Sequence, residues 1–315
     1  MISTDALGAV GNTPLVRLHH VVPAGSARVL AKLEYANPTG SMKDRVAKAI
    51  IEGAAARGKI RSGSTVVEYT AGTTGISLAF VCAARGYGLH LVFSDAFSDD
   101  KRRTMLAFGA RITDVKSDRK RITAELIREM IERAAEISGR PKHWYSDQLR
   151  NPDAVAGYHP LGEEIWDQTD GEVDAFVHVV GTAHSIHGAT HSLWKHRRGI
   201  HVAAVEPAES AVLSGGTSGS HRIEGIGIGF VPPLWEPGLV NEIVRVSTRD
   251  AESMARRLAR EEGLFVGTSS GANTVAALRV AEQLGPKATV VTVMVDSGLR
   301  YLSTGLFTRG RGTSR

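Results

Sequence analysis

The sequence predicts a two-domain α/β protein, each domain a mostly parallel twisted sheet flanked by helices. Three observations carry that expectation. Short apolar runs alternate with longer amphipathic stretches, which is the order strand, loop, helix that builds parallel sheets with right-handed crossovers. The alternation lapses once, over residues 144–152, and then begins again. A length of 315 residues supplies enough chain for two cores.

The elements follow in order. Gly11 to Pro14 (GNTP) is a turn before a short strand at 15–18. A strand at 29–34 stops at Asn37-Pro38, and Gly40 adds freedom of turn. Ser41 then reads as an N-cap, because Val46, Ala49, Ile50 and Gly53 recur at helical spacing. A strand at 65–68 runs into YTAGTTG and a helix at 76–85, with Gly86 as its C-cap. Strand 89–93, helix 99–108, strand 111–115 and helix 122–137 complete the first series. The second has helix 155–169, an apolar strand at 173–180 interrupted by Asp174 and His178, and a helix opened by Gly181 to Gly188. Strand 201–205, helices 249–262 and 269–284 and a buried strand at 289–295 follow. Residues 214–220, rich in Gly and Ser, read as a surface loop. Residues 308–315 read as a disordered tail.

Composition narrows the function classes. A hydrophobic fraction of 42% and a charged fraction of 23% belong to an ordinary globular protein. There is no signal-peptide pattern at the start and no apolar stretch of the roughly 20 residues a membrane span needs. Cys82, the single cysteine, sits in an apolar run and is expected to be buried and inert. A cytoplasmic enzyme fits these facts. The net charge of +5 is spread over groups such as Lys101 to Arg103 and Lys195 to Arg198 without interleaved aromatics. They read as solvated helix faces rather than a nucleic-acid surface.

The candidate chemistry starts at Lys43, in the first turn of its helix. An ammonium there opposes the helix dipole, which suits an amine whose pKa is to fall and which is to react. The plain alternative is a solvent-facing lysine beside Asp44 and Arg45. Three loops stand where strands give way to helices, the ligand-binding edge of open parallel sheets. Thr70 to Gly75 offers hydroxyls and backbone N–H groups suited to a carboxylate. Gly181 to Ser185 (GTAHS) offers backbone donors suited to a phosphate. Gly267 to Gly271 (GTSSG) presents Ser269 and Ser270 before another helix. Each loop alone also reads as ordinary capping. A lysine together with a phosphate cradle is what pyridoxal 5′-phosphate requires. No GxGxxG with a following acid supports a nicotinamide cofactor. His184 and His187 share a helix face, with His178, His191, His196 and His201 nearby. No cysteine or carboxylate completes a familiar ligand spacing, so no metal is expected.

With those motifs in hand, the chain resembles the cysteine synthase (O-acetylserine sulfhydrylase) and cystathionine β-synthase family of pyridoxal-phosphate enzymes. The resemblance runs from GNTPLVRL to SGLRYLSTGLF. NPTGSMKDR is similar to the family's Schiff-base segment, which implies Lys43 as the lysine that carries the cofactor. YTAGTTG resembles the substrate-carboxylate loop, implicating Thr70, Ala71, Gly72 and Thr74 at the substrate and Thr73 at the cofactor. DQLRNP resembles the glutamine segment, which adds Gln148 at the carboxylate. GTAHSIHG stands at the phosphate loop, implicating Gly181, Thr182, Ala183, His184 and Ser185. EGIGIGFVPP implicates Gly227 in lining the pocket, and GTSSGA implicates Ser269 at the pyridine nitrogen. The family implies a fold type II, tryptophan synthase β-like architecture. It implies a smaller domain of residues 36–148 with 1–12 and a larger one of 149–307 with 13–35, in a homodimer. The implied reaction is β-replacement on O-acetyl-L-serine with sulfide, through an aminoacrylate, to give L-cysteine. Another activated serine or nucleophile, a serine or threonine dehydratase, and an inactive family member that binds a partner are the alternatives.

The chain departs from the family pattern in the loops themselves. The family reads TSGNTG where this chain has TAGTTG, so Ala71 lacks a hydroxyl and Thr73 replaces an asparagine. Ala183 and His184 replace glycines, where a positive φ is expected to strain a residue with a Cβ. His184 is expected to touch phosphate or substrate, or else to be a surface histidine. Leu299 stands where a glutamate is usual.

Overall fold

A computed structural model of the protein describes residues 5–119 and 122–308 and contains two separate sheets. The disordered tail expected at 308–315 lies, past Thr308, outside the described residues. In chain order the elements are β1 (Leu15–Arg17), β2 (Arg28–Lys32), α1 (Lys43–Ala56), β3 (Thr65–Tyr69) and α2 (Thr73–Arg85). Then come β4 (Gly88–Ser94), α3 (Asp99–Ala107), β5 (Arg111–Val115), α4 (Ala124–Ser138) and β6 (His143–Tyr145). The second series is α5 (Asp153–Ala156), α6 (His159–Gln168), β7 (Ala175–Val179), α7 (His184–His196) and β8 (His201–Pro207). It ends with β9 (Glu242–Val246), α8 (Thr248–Arg257), α9 (Thr268–Leu284) and β10 (Thr289–Val293).

The six-stranded sheet has the order β1-β2-β10-β7-β8-β9, parallel except for β1 against β2. The four-stranded sheet has the order β5-β4-β3-β6 and is wholly parallel. The α/β expectation therefore holds. Strands β7 and β10 are buried at every residue, which is why they read as unbroken apolar runs rather than alternating ones. Helices α6 and α7 pack on each other, as do α8 and α9, and both α7 and α9 touch β7.

Several boundaries differ from the sequence reading for local reasons. The helix expected at 155–169 is two helices, α5 and α6, separated at Gly157 and Tyr158. Gly157 presses on α1: a Cβ there would lie 2.7 Å from Ala49 Cβ and 3.1 Å from the Arg45 carbonyl oxygen. Strand β6 hides in the stretch read as a loop, because three residues are too few to show a period. Strand β9 was not foreseen. Its sequence, Glu-Ile-Val-Arg-Val, carries charges because it is an edge strand paired only with β8. The helix expected at 249–262 is α8 followed by one π-turn, Leu258–Glu262, closed by Gly263 in the left-handed region.

A buried charge network anchors the beginning of α1. Arg45 donates to both oxygens of Glu34 at 2.7 and 2.8 Å and to both of Glu164 at 2.7 and 2.8 Å. Glu34 follows β2 and is fully buried. It also accepts from Thr13 at 2.7 Å and from Asn37 at 3.0 Å. Lys32, itself fully buried, closes the network on Glu164 at 2.7 Å. Burial pushes the Glu164 carboxyl up, but Arg45 and Lys32 overcome it and hold it at about 2. Removing one member leaves an uncompensated buried charge. Arg45→Met is expected to lower unfolding free energy by about 3–5 kcal/mol in urea titrations, and adding Glu34→Gln to recover part of that loss.

Candidate active site

The strand order decides what meets. Strands β2, β10 and β7 are neighbours in the centre of the large sheet, so the segments beyond their carboxyl ends are neighbours too. Those segments carry Lys43, Asp296 and GTAHS respectively. The Lys43 segment is tied to the end of β10: Met42 N–H donates to Val295 O at 3.0 Å and Ser297 N–H to Gly40 O at 2.9 Å. The Tyr158 hydroxyl donates to Met42 O at 3.1 Å. Met42, not Ser41, takes the N-cap position, with helical dihedrals. Ser41 acts one step earlier, its Oγ accepting from Lys43 N–H at 3.2 Å.

Lys43 is not the solvent-facing lysine of the plain reading. It is partly buried, and its pKa is lowered to about 8. Loss of solvation is the main cause, and the nearby Asp296 carboxyl partly restores it. The same amine contributes to lowering His178 and His184, which fixes all three in one neighbourhood.

The GTAHS loop forms a tight cradle. A Cβ on Gly181 would collide with the carbonyl oxygen of Gly225. Gly227, at φ +58, has no room either, with Pro207 Cγ 2.6 Å from where a Cβ would be. Its N–H donates to Val180 O at 3.3 Å, so it borders the GTAHS loop. Ala183 has φ 68 at the N-cap of α7. The strain expected at this glycine position is thus present, on the order of 1–2 kcal/mol. His184 has ordinary helical geometry and is 1% exposed, so it is no surface histidine. Its Nδ1 lies 3.0 Å from Thr182 Oγ1, and it sits beside the Gln148 backbone, while Nε2 completes no hydrogen bond. Burial, with the Lys43 charge, pushes it down to about 3.

The TAGTTG loop ends β3, and Gln148 follows β6, the strand beside it. Helix α2 starts at Thr73, earlier than expected, so Thr73 and Thr74 lie in its first turn. Gly72, at φ 123, is the cap. Thr70 Oγ1 accepts from Gly72 N–H and Gly75 N–H, both at 2.9 Å, so this hydroxyl shapes the loop. Ala71 is exposed and Thr73 partly so. Gln148 is held by Glu68 Oε2, which accepts from its N–H at 2.9 Å, and its Nε2 donates to Tyr69 O at 3.0 Å. Ser269 is buried in the first turn of α9.

Lys101 corrects the sequence reading. Placed there among solvated charges, it is 4% exposed. It packs on Gly72, pairs with Glu224, and has Nζ 5.7 Å from the Tyr301 ring centroid. Glu224 N–H in turn donates to Thr268 Oγ1 at 3.2 Å. This chain of contacts joins the TAGTTG loop to the GTSSG loop. Nothing in the run Asp-Asp-Lys-Arg-Arg distinguishes the lysine that turns inward. Cys82 is buried, and burial pushes its thiol to about 12, as an inert residue requires. Among the described residues no group of three metal-ligating side chains converges.

The family model described as "Pyridoxal-phosphate dependent enzyme" matches residues 6–296. The chain belongs to this family. Among its relatives, the cysteine synthase of Staphylococcus aureus is 41% identical over 301 residues, covering 95% of each chain. Similar solved structures include a cysteine synthase of Entamoeba histolytica, with TM-score 0.90 and 37% identity over 99% of this chain and 93% of that one. O-ureido-L-serine synthase matches at TM-score 0.93 and 32% identity, over 99% of this chain and 98% of that one. The O-acetylserine dependent cystathionine β-synthase of Helicobacter pylori matches at 0.91 and 35%, over 98% and 100%.

The site of this pyridoxal-phosphate dependent enzyme fits that cofactor. A partly buried amine of lowered pKa suits an aldehyde, and a glycine-lined cradle at the start of α7 suits a phosphate. An imidazole nitrogen left without a partner adds a polar group for a ligand. His184 also makes stability pH-dependent. Its folded pKa, about 3, lies below the unfolded value near 6.5, so its contribution is full above that value and lost as pH falls. His184→Asn is expected to flatten the stability loss by about 1.4 kcal/mol per pH unit between about pH 6 and 4, read from urea titrations.

Proposed function

We propose that this enzyme makes L-cysteine from O-acetyl-L-serine and sulfide by β-replacement. The observation that carries the reading is the desolvated Lys43 amine, beside Asp296 and facing the start of α7. The cysteine synthases among its relatives point the same way. Lys43 would hold the aldehyde carbon of pyridoxal phosphate. Gly181, Thr182, Ala183, His184 and Ser185 would hold its phosphate, Ser269 its ring nitrogen and Thr73 its phenolic side. Thr70, Ala71, Gly72, Thr74 and Gln148 would receive the substrate carboxylate, and Gly227 would line the pocket wall.

When bound, the cofactor supplies an electron sink that labilises the bonds around the amino acid's α-carbon. With a pKa lowered to about 8, Lys43 can shed and regain a proton at neutral pH, which suits the base that takes the α-proton and returns it. Ser269 would be a neutral partner for the ring nitrogen and would not hold a proton there as a carboxylate would, which would suit quick loss of a β-substituent. The smaller unit, 36–148, would close on the larger, bringing the TAGTTG loop toward Lys43 and keeping water out. The Lys101–Glu224 pair is suited to latch that closure. The enzyme is read as a cytoplasmic homodimer.

A second reading has one specific support. Four of the residues that differ from the family pattern, Ala71, Thr73, Ala183 and His184, lie in the substrate and phosphate loops, and O-ureido-L-serine synthase shares the fold closely. A different serine derivative or nucleophile is therefore the alternative. Borohydride treatment of the cofactor-loaded protein should fix the cofactor on the peptide containing Lys43. Lys43→Ala should lose both that label and the absorbance near about 410 nm. A label on another lysine would overturn the assignment. Mass analysis of mixtures of β-substituted alanines and nucleophiles should give cysteine fastest from O-acetylserine and sulfide. Faster turnover of another pair would establish the second reading.

A further inference from the structure

Behind the proposed phosphate cradle, Ser185 meets two residues that the mechanism above does not use. His178 is the fourth residue of β7 and Asn273 belongs to α9, and both are fully buried. His178 Nε2 lies 2.8 Å from Ser185 Oγ, and His178 Nδ1 lies 3.2 Å from Asn273 Nδ2. We infer that Asn273 and His178 form a positioning relay that commits the Ser185 hydroxyl to donate its proton to the bound phosphate. The inference rests on the reading that the phosphate occupies the 181–185 loop.

The direction of every proton in the trio follows from two backbone groups. Val179 N–H donates to Asn273 Oδ1 at 2.7 Å, and Asn273 Nδ2 donates to Val293 O at 2.7 Å. Strands β7 and β10 therefore lock the amide in one orientation, since a flip would oppose like groups at both ends. The second Nδ2 hydrogen points at His178 Nδ1, which must then be the bare nitrogen of a neutral ring. Burial, helped by the Lys43 charge, pushes His178 down to about 3 and keeps it neutral. Its single ring proton sits on Nε2 and is donated to Ser185 Oγ. That hydroxyl cannot return the bond, and among the described residues it makes no other hydrogen bond. Ser185 is 7% exposed in the first turn of α7, beside the backbone of the cradle. Its proton is left for a ligand oxygen, and a phosphate oxygen is the strongest acceptor the cradle would hold.

The same three residue types would suggest a nucleophile, a base and an orienter. The protonation pattern argues against that. A base needs the lone pair on Nε2, which would put N–H on Nδ1 facing the N–H of Asn273 and leave both buried donors unmatched.

The test uses the cofactor-loaded enzyme, with 31P resonance of the bound phosphate and the cofactor dissociation constant as readouts. Ser185→Ala should weaken cofactor binding by about tenfold, the scale of one charge-assisted hydrogen bond, and shift the 31P line. Ser185→Thr should restore both. His178→Ala should weaken binding in the native background and add nothing in the Ser185→Ala background. A merely structural histidine would lower affinity equally in both backgrounds, and that result overturns the relay. An unshifted 31P line and unchanged affinity in Ser185→Ala overturn it as well. Side-chain 15N shifts of His178 should report a protonated Nε2, and a protonated Nδ1 contradicts the inference. If the unaltered protein takes up no cofactor at Lys43, the functional reading fails instead, and the two failures are distinguishable.

Discussion

The molecule depends on keeping one amine out of water at the place where two parts of the chain cross. Lys43 leads a helix whose first turn is riveted by Arg45 to Glu34 on one side and Glu164 on the other. An amine on a loose loop would find water and recover its ordinary pKa. Here it stays desolvated because the buried charges behind it are matched, and the main chain ahead of it bonds to the end of β10.

The sheet order turns that local constraint into a site. Strands β2, β10 and β7 lie side by side, so the lysine segment, Asp296 and the GTAHS loop emerge at the same edge. In the smaller sheet β3 and β6 do the same for TAGTTG and Gln148. Lys101 and Glu224 then join loops that belong to different sheets. A lysine on α3 packed against Gly72 cannot move without the loop that the substrate carboxylate is proposed to use.

The departures from the family pattern at Ala183 and His184 are adjacent and reach the carboxylate side of the site. Ala183 accepts a left-handed backbone that a glycine would take without strain, which keeps the cradle open to its backbone donors. His184 fills space that a glycine would leave empty, is steadied by Thr182 and stands beside Gln148. The cradle and the carboxylate side of the site are thereby brought into contact. A change of substrate preference would be felt at that point first.

Much of this was legible along the chain. Alternating strands and helices, the lysine after a broken strand and three small-residue loops at strand ends all follow from local rules, because turns, caps and periods act over a few residues. The left-handed residue at Ala183 was also foreseeable, from a glycine position holding a Cβ. Local rules could not tell which charges turn inward. Lys101 reads like Arg102 and Arg103 beside it, and only its partner, more than a hundred residues away at Glu224, separates it from them. Edge strand β9, the split between α5 and α6, and the proton directions fixed by Asn273 likewise come from contacts between distant segments. Sequence by itself determined most of the elements and the residue types offered at each strand end. Tertiary structure alone decided burial, and with it which amine loses its solvation and which hydroxyl has a proton to give.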